Sequence, residues 1–220
     1  FVRKFPDDPQ ADQARVEMAG LPQWFVEQSA DLATDAERLK ERGTDAGQVL
    51  EAATRNADRA IATYKWLMSN AKTPNVKELA KYYLAVMGYY RALTAPKCSP
   101  QQLEGLKQAQ RTLDDYAFDN DGRLTQVFAQ DYQGQALWAL GDCEQGKARW
   151  ATYHRALSMF IACADTEDQG EDHRRAIALG YYHIGRLANA VARTDDVRPG
   201  ESAAVSDTEA RAFLREARRK

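Results

Sequence analysis

The chain has 220 residues, 44% of them hydrophobic and 10% aromatic, which is enough to bury a core and excludes a disordered chain. Its formal net charge of −2 supplies no overall basic field for a phosphate backbone, so nucleic acid is excluded as the main partner. No apolar run approaches the roughly 20 residues that cross a bilayer, so no transmembrane segment is expected in this chain.

The opening stretch, Phe1 to Pro9, is irregular and holds two prolines. Phe1 is either a processed N-terminus or a trimmed boundary. A cleaved export signal would place the protein outside the cytoplasm, and an extracytoplasmic (periplasmic) location is favoured over a cytoplasmic one. Asp8-Pro9 fits the N-cap and first position of a short helix ending near Gly20. Pro22 opens a second helix, with Trp24, Phe25, Leu32 and Leu39 as its apolar members, and Gly43 stops it. Thr44 or Asp45 caps a third helix that runs to about Asn70. Its stripe is Leu50, Ala53, Ala57, Ile61, Tyr64 and Met68. Trp66 lies off that stripe and is read as a contact with the N-terminal helix.

Thr73-Pro74 restarts the chain, and Asn75 with Glu78 fits a capping box. The helix that follows carries Leu79, Tyr83, Val86, Tyr90 and Leu93 at steps of four and three. After a loop from Ala95 to Pro100, Ser99, Pro100 and Gln102 mark the start of another helix, with Gly105 near its beginning. Asp119-Asn120-Asp121-Gly122 is a turn. It has part of a calcium-loop pattern, but Phe128 stands where that loop needs a bidentate Glu.

Two amphipathic helices then meet at Gly141-Asp142 within residues 121–164. Leu124, Val127, Phe128, Leu137 and Leu140 supply the apolar face of the first. Gly146, Trp150, Tyr153, Leu157 and Phe160 supply that of the second, with Asp142 as N-cap and Gln145 completing a capping box. So short a connection forces the helices antiparallel. Beyond a polar loop from Asp165 to Gly170, a further helix carries Ile177, Tyr181, Ile184, Ala188 and Val191, with Gly185 inside it. Thr194 to Ser206 is a polar loop. Ser206 and Glu209 cap a short basic helix that closes on Arg218, Arg219 and Lys220.

The order Gly134, Gly141-Asp142, Gly146 and Trp150 resembles the tetratricopeptide repeat: a small residue in the first helix, a tight turn, a small residue in the second helix and then an aromatic. Two positions depart from the family pattern. Gln130 replaces an early aromatic, and Tyr153 replaces a late small residue. Gly88, Gly134 and Gly185 sit at matching places in three first helices, spaced more widely than the roughly 34 residues of a strict array. The resemblance implies an all-α fold of antiparallel hairpins stacked as a short tetratricopeptide-like solenoid of about eight to nine helices. The expected organisation is one domain over 1–220: N-terminal helices in 1–73, repeats in 74–193, and a polar loop with a basic helix in 194–220. A generic helical bundle is the alternative.

In that family the first helices line a concave face. Carried over position by position, the resemblance implies a face made of Tyr82, Ala85, Tyr89 and Ala92, then Phe128, Asp131, Gln135 and Trp138, then Leu179, Tyr182, Arg186 and Asn189. The ligand-binding set expected from it is Tyr82, Tyr89, Phe128, Asp131, Gln135, Trp138, Tyr182, Arg186 and Asn189. Within each tyrosine doublet this assigns Tyr83, Tyr90 and Tyr181 to the core and the neighbour to the groove. Tyr and Trp offer large contact area at low entropic cost, and Arg grips a carboxylate in two places.

No catalytic constellation is present. His154, His173 and His183 lack the spacing of a metal site, Asp114, Asp115, Asp119 and Asp121 read as a solvated helix end, and no phosphate loop or nucleophile elbow occurs. No cofactor or metal is expected. With helices alternating up and down, the loops of Cys98 and Cys143 lie at the same end, where a disulfide is geometrically allowed. Three free, partly buried thiols, Cys163 included, are the other reading. The expected function is a non-catalytic module that binds a protein or peptide in an aromatic groove, as in assembly of an envelope or secretion complex. A small-molecule-binding accessory subunit of a transporter and a helical accessory domain of an enzyme are the alternatives.

Overall fold

The structure, a computed structural model, describes Asp8, residues 10–17, 46–119 and 124–192, Phe213 and residues 215–217. Every regular element among the described residues is helical, so the fold is all-α. We label α1 over residues 10–17, α2 Ala46–Asn70, α3 Pro74–Leu93, α4 Pro100–Asp119, α5 Leu124–Gly141, α6 Gly146–Ala164 and α7 Glu171–Ala192. None of the described helices is long and apolar enough to cross a membrane. The expected helix from Pro22 to Gly43, the caps at Thr44 or Asp45 and at Ser206, the turn at Asn120 to Gly122, the loop from Thr194 and the closing Arg218, Arg219 and Lys220 lie outside the described residues. The chain divides into two compact units, Phe1–Ala109 and Gln110–Lys220.

In the N-terminal unit the helix starts follow the local chemistry. Asp8 Oδ1 accepts from the Gln10 amide at 2.8 Å, which is N-cap geometry. Asp12 of α1 is buried and receives two bonds, from Arg15 Nη1 at 2.7 Å and from the Lys72 amide at 2.8 Å. It therefore pins α1 to the turn after α2. Arg15 lies over the Trp66 ring at 4.8 Å, which explains why that tryptophan left its stripe. Pro74 occupies the first turn of α3 and Thr73 is its N-cap. Ser99 Oγ accepts from the Gln102 amide at 3.2 Å, while the Gln102 side chain reaches back to the Cys98 amide at 2.7 Å. This arrangement opens α4 at Pro100 and holds Cys98 at a positive φ of 59°.

The core of this unit joins Val16, Ala57, Ala60, Tyr64, Leu67, Val76, Ala80 and Met87. Tyr64 stacks on Tyr83 with ring centroids 5.4 Å apart. Burial first, and Tyr83 second, push the Tyr64 phenol well above its ordinary range. α4 approaches α3 closely because Gly105 has no side chain: a Cβ there would stand 2.8 Å from the Ala92 Cβ. With α2 packed on it as well, α3 loses solvent on more than one face.

In the C-terminal unit α5 and α6 form an antiparallel hairpin, and α7 packs on α6 and on α5. The turn differs from expectation. α6 begins at Gly146 with Gln145 as its N-cap residue, and no side chain caps it. Asp142 and Glu144 are used otherwise: Tyr153 OH donates to Asp142 Oδ1 at 2.8 Å and Thr152 Oγ1 to Glu144 Oε2 at 2.5 Å. Gly141 makes this possible, since a Cβ there would lie 2.5 Å from the Tyr153 ring. Asp142, expected as the cap, and Glu144 thus tie the turn to the second turn of α6.

Phe160 is fully buried and lies between two glycines. A Cβ on Gly134 of α5 would enter its ring, and a Cβ on Gly180 of α7 would lie 2.8 Å from its carbonyl oxygen. Their bare backbones let α5 and α7 close on α6 together, and that closure sets the face described next. Gly185 meets nothing within 4 Å, so Gly180, and not the expected Gly185, is where α7 makes its close approach. Phe213 and Ala217 complete the same cluster, Phe213 standing against Trp150, Tyr153 and His154. Glu216 Oε2 stands 2.8 Å from His154 Nδ1.

Candidate functional site

On α7 the buried residues are Ala176, Gly180, His183, Ile184, Leu187 and Val191, a four-three alternation turned away from the expected one. Tyr181, expected in the core, is 47% exposed, and Tyr182 is 55% exposed. His183 takes the inward place between them and Ile184. A buried imidazole needs a partner, and α5 supplies it. His183 Nδ1 stands 2.6 Å from Asp131 Oδ1, and the second carboxylate oxygen accepts from Gln135 Nε2 at 2.8 Å. Both members are buried, at 7% and 5% exposure for His183 and Asp131. The Phe160 ring packs 5.0 Å from the imidazole.

Asp131 therefore holds α5 to α7, and Gln135 of its own helix engages its second oxygen. They had been expected to face a ligand, but both oxygens of Asp131 are already taken. Cys163 lies beside this pair. It is fully buried, and its thiol donates to the Val127 carbonyl at 3.2 Å. Burial first, and the Asp131 charge second, push it far above an ordinary thiol. A protonated, enclosed thiol is a poor nucleophile, so Cys163, His183 and Asp131 do not make a cysteine–histidine catalytic set.

One turn outward the same two helices present a different group. Arg186 is exposed, and its guanidinium carbon lies 5.6 Å from the Trp138 ring of α5 and 5.6 Å from the Tyr182 ring of α7. Trp138 is half-buried and anchored against the cluster of Trp150 and Phe160. Asn189, one turn beyond Arg186, is exposed. Phe128 is half-buried against Val127, Cys163 and Ala176 and belongs to the packing. The structure thus brings Trp138, Tyr182 and Arg186 together on one face, with Asp131, His183 and Gln135 beneath. The described C-terminal residues pack on α6.

Tyr82 and Tyr89 belong to the N-terminal unit and are 8% and 6% exposed. Each touches its doublet neighbour, with ring centroids 5.1 Å apart in both cases. They are core residues, because α3 is covered by α2 and by α4. Cys98 and Cys143 are disulfide-bonded, whereas Cys163 is free. Among the described residues no group of three His, Cys, Asp or Glu side chains could hold a metal ion.

His183 is the residue whose role the sequence reading missed. Its signal was the alternation through Gly180 and Leu187, which puts position 183 inside. No family model matches the chain, and no curated protein and no solved structure matches it.

Proposed function

We propose that the chain is a non-catalytic binding module, built as a tetratricopeptide-like stack of helical hairpins, and that it takes a segment of a partner protein on the face shared by α5 and α7. The observation that carries this reading is Arg186 laid over Trp138 and Tyr182. Aromatic area joined to an ordered guanidinium is the composition of a binding hot spot. The buried bridge beneath supports the reading, because a recognition surface needs its helices fixed before the partner arrives. Disulfide-bonded Cys98 and Cys143 support an oxidising compartment such as the periplasm, where assembly of an envelope or secretion complex would be the setting.

The His183–Asp131 pair is the one feature that favours an enzymatic reading. Its burial and the full use of the Asp131 oxygens argue for a structural role. The experiment is selection of peptides from a displayed random library against the immobilised chain, followed by calorimetric titration. Trp138→Ala and Arg186→Ala should each weaken the selected peptides by at least about 1–2 kcal/mol and leave the helical circular dichroism unchanged. Selected peptides that bind both variants as tightly as the parent would move the site elsewhere, and a library that yields no binder would end the reading.

A further inference from the structure

We infer that the segment bound by the α5–α7 face is acidic and delivers a side-chain carboxylate to Arg186. This rests on the binding reading above and specifies its partner. The surroundings of Arg186 carry the argument. The helices α5, α6 and α7 themselves hold three carboxylates, and the turns between them add Asp142, Glu144, Asp165, Glu167 and Asp168 against the six Lys and Arg residues of this stretch, so what matters is placement and not the count. Those three carboxylates are Asp131 in α5 and Glu171 and Asp172 in α7, and α6 has none.

None of the three serves Arg186. Asp131 is buried with both oxygens bonded, one facing His183 and the other Gln135. Glu171 and Asp172 stand in the first turn of α7, roughly 20 Å down the helix from Arg186 at the rise of an α-helix. Among the described residues Arg186 has ring contacts and no ion pair. Those rings hold a guanidinium in place without neutralising it, because a cation over an aromatic face keeps its charge and its edge N–H donors. An exposed, oriented and uncompensated guanidinium matches a planar carboxylate in bidentate fashion. The half-buried Trp138 beside it offers apolar surface, so the fitting segment sets an Asp or Glu next to an aliphatic or aromatic residue.

The test uses C-terminally amidated synthetic 12-residue peptides, so that the only carboxylates are side chains. Peptides carrying Glu beside Leu or Phe should bind the parent chain at least about ten-fold more tightly than the same peptides with Gln. The difference should vanish in Arg186→Met and reverse in Arg186→Glu, which should prefer Lys in place of Glu. Raising the salt should erode the preference, since the pair is exposed. Neutral or basic peptides that bind equally well, and are lost in Trp138→Ala, would overturn this inference while leaving the binding reading intact. Absence of any peptide binding would overturn both. Binding that appears only after Asp195, Asp196, Glu201, Asp207 and Glu209 are changed to their amides would assign the carboxylate to the chain's own sequence and overturn the partner proposed here.

Discussion

α3 and α7 both carry adjacent tyrosines, and they treat them in opposite ways. In α3, Tyr82 and Tyr89 are buried and their neighbours Tyr83 and Tyr90 are half-buried, so both doublets are drawn in. In α7, Tyr181 and Tyr182 both stand in solvent while the polar His183 goes inside. The residue types do not decide this. α3 has helices against more than one face and has no outward stripe wide enough for an aromatic pair. α7 is packed from one side by α5 and α6, and the inward position next to the doublet is claimed by an imidazole that Asp131 satisfies. Burial of a tyrosine here follows from how many neighbours its helix has, and from whether a competing polar residue has a partner waiting.

The strongest way to break this comparison is to remove the partner. Asp131→Ala would strand His183 in a nonpolar site and should cost about 3–5 kcal/mol, the range for breaking a buried pair by deleting one member. Replacing both, as Asp131→Leu with His183→Leu, should recover much of that loss. Denaturant melts of Asp131→Leu, of His183→Leu and of the double form the cycle, and additive losses would mean that the pair does not hold α5 to α7.

Next in size comes the tyrosine contrast itself. Tyr89→Ala should cost roughly 2–4 kcal/mol as a large buried aromatic, and Tyr181→Ala should change stability by less than about 0.5 kcal/mol as an exposed one. Equal losses in matched urea melts would reverse the distinction between the two helices.

The glycines sharpen the same point with effects of opposite sign. Gly134→Ala should destabilise by about 1–3 kcal/mol, because the new methyl enters the Phe160 ring. Gly185→Ala should stabilise by roughly 0.5–1 kcal/mol, because its site is open and helical. Thermal melts in which Gly185→Ala also destabilises would show that α7 is covered where it is here bare.

The smallest effect is chemical and leaves the fold untouched. Cys163 should resist alkylation in the native chain at pH 8, since its raised thiol stays protonated and enclosed. Denaturation alone should release it, whereas Cys98 and Cys143 should react only after reduction. Mass spectrometry of the alkylated chain reads all three, and native labelling of Cys163 would contradict its burial.

Much of the helical frame was legible because its signals are local. Asp8, Pro74, and Ser99 with Pro100 and Gln102 mark starts within a few residues of where the chain turns helical. Asp142 misled because its side chain serves Tyr153 one helix on, a bond that caps nothing. The face proposed for binding was legible in part: Trp138, Tyr182 and Arg186 do meet. Asp131 and His183 changed meaning because they are distant in sequence and satisfy each other, and no periodicity reports a pair that spans three helices.

The place of Phe213 has a consequence for the order of events during synthesis. The N-terminal cluster, from Val16 to Met87, draws on residues that all leave the ribosome early, so it can close while the remainder is still being made. The C-terminal cluster cannot, because it holds Phe213 and Ala217 against Trp150 and Leu187. Until those late residues emerge, α6 must wait with an aromatic surface bare to the cell. A ribosome paused shortly before Phe213 is added would therefore display a chain with one unit folded and the other still adhesive, which is the form a chaperone would be drawn to.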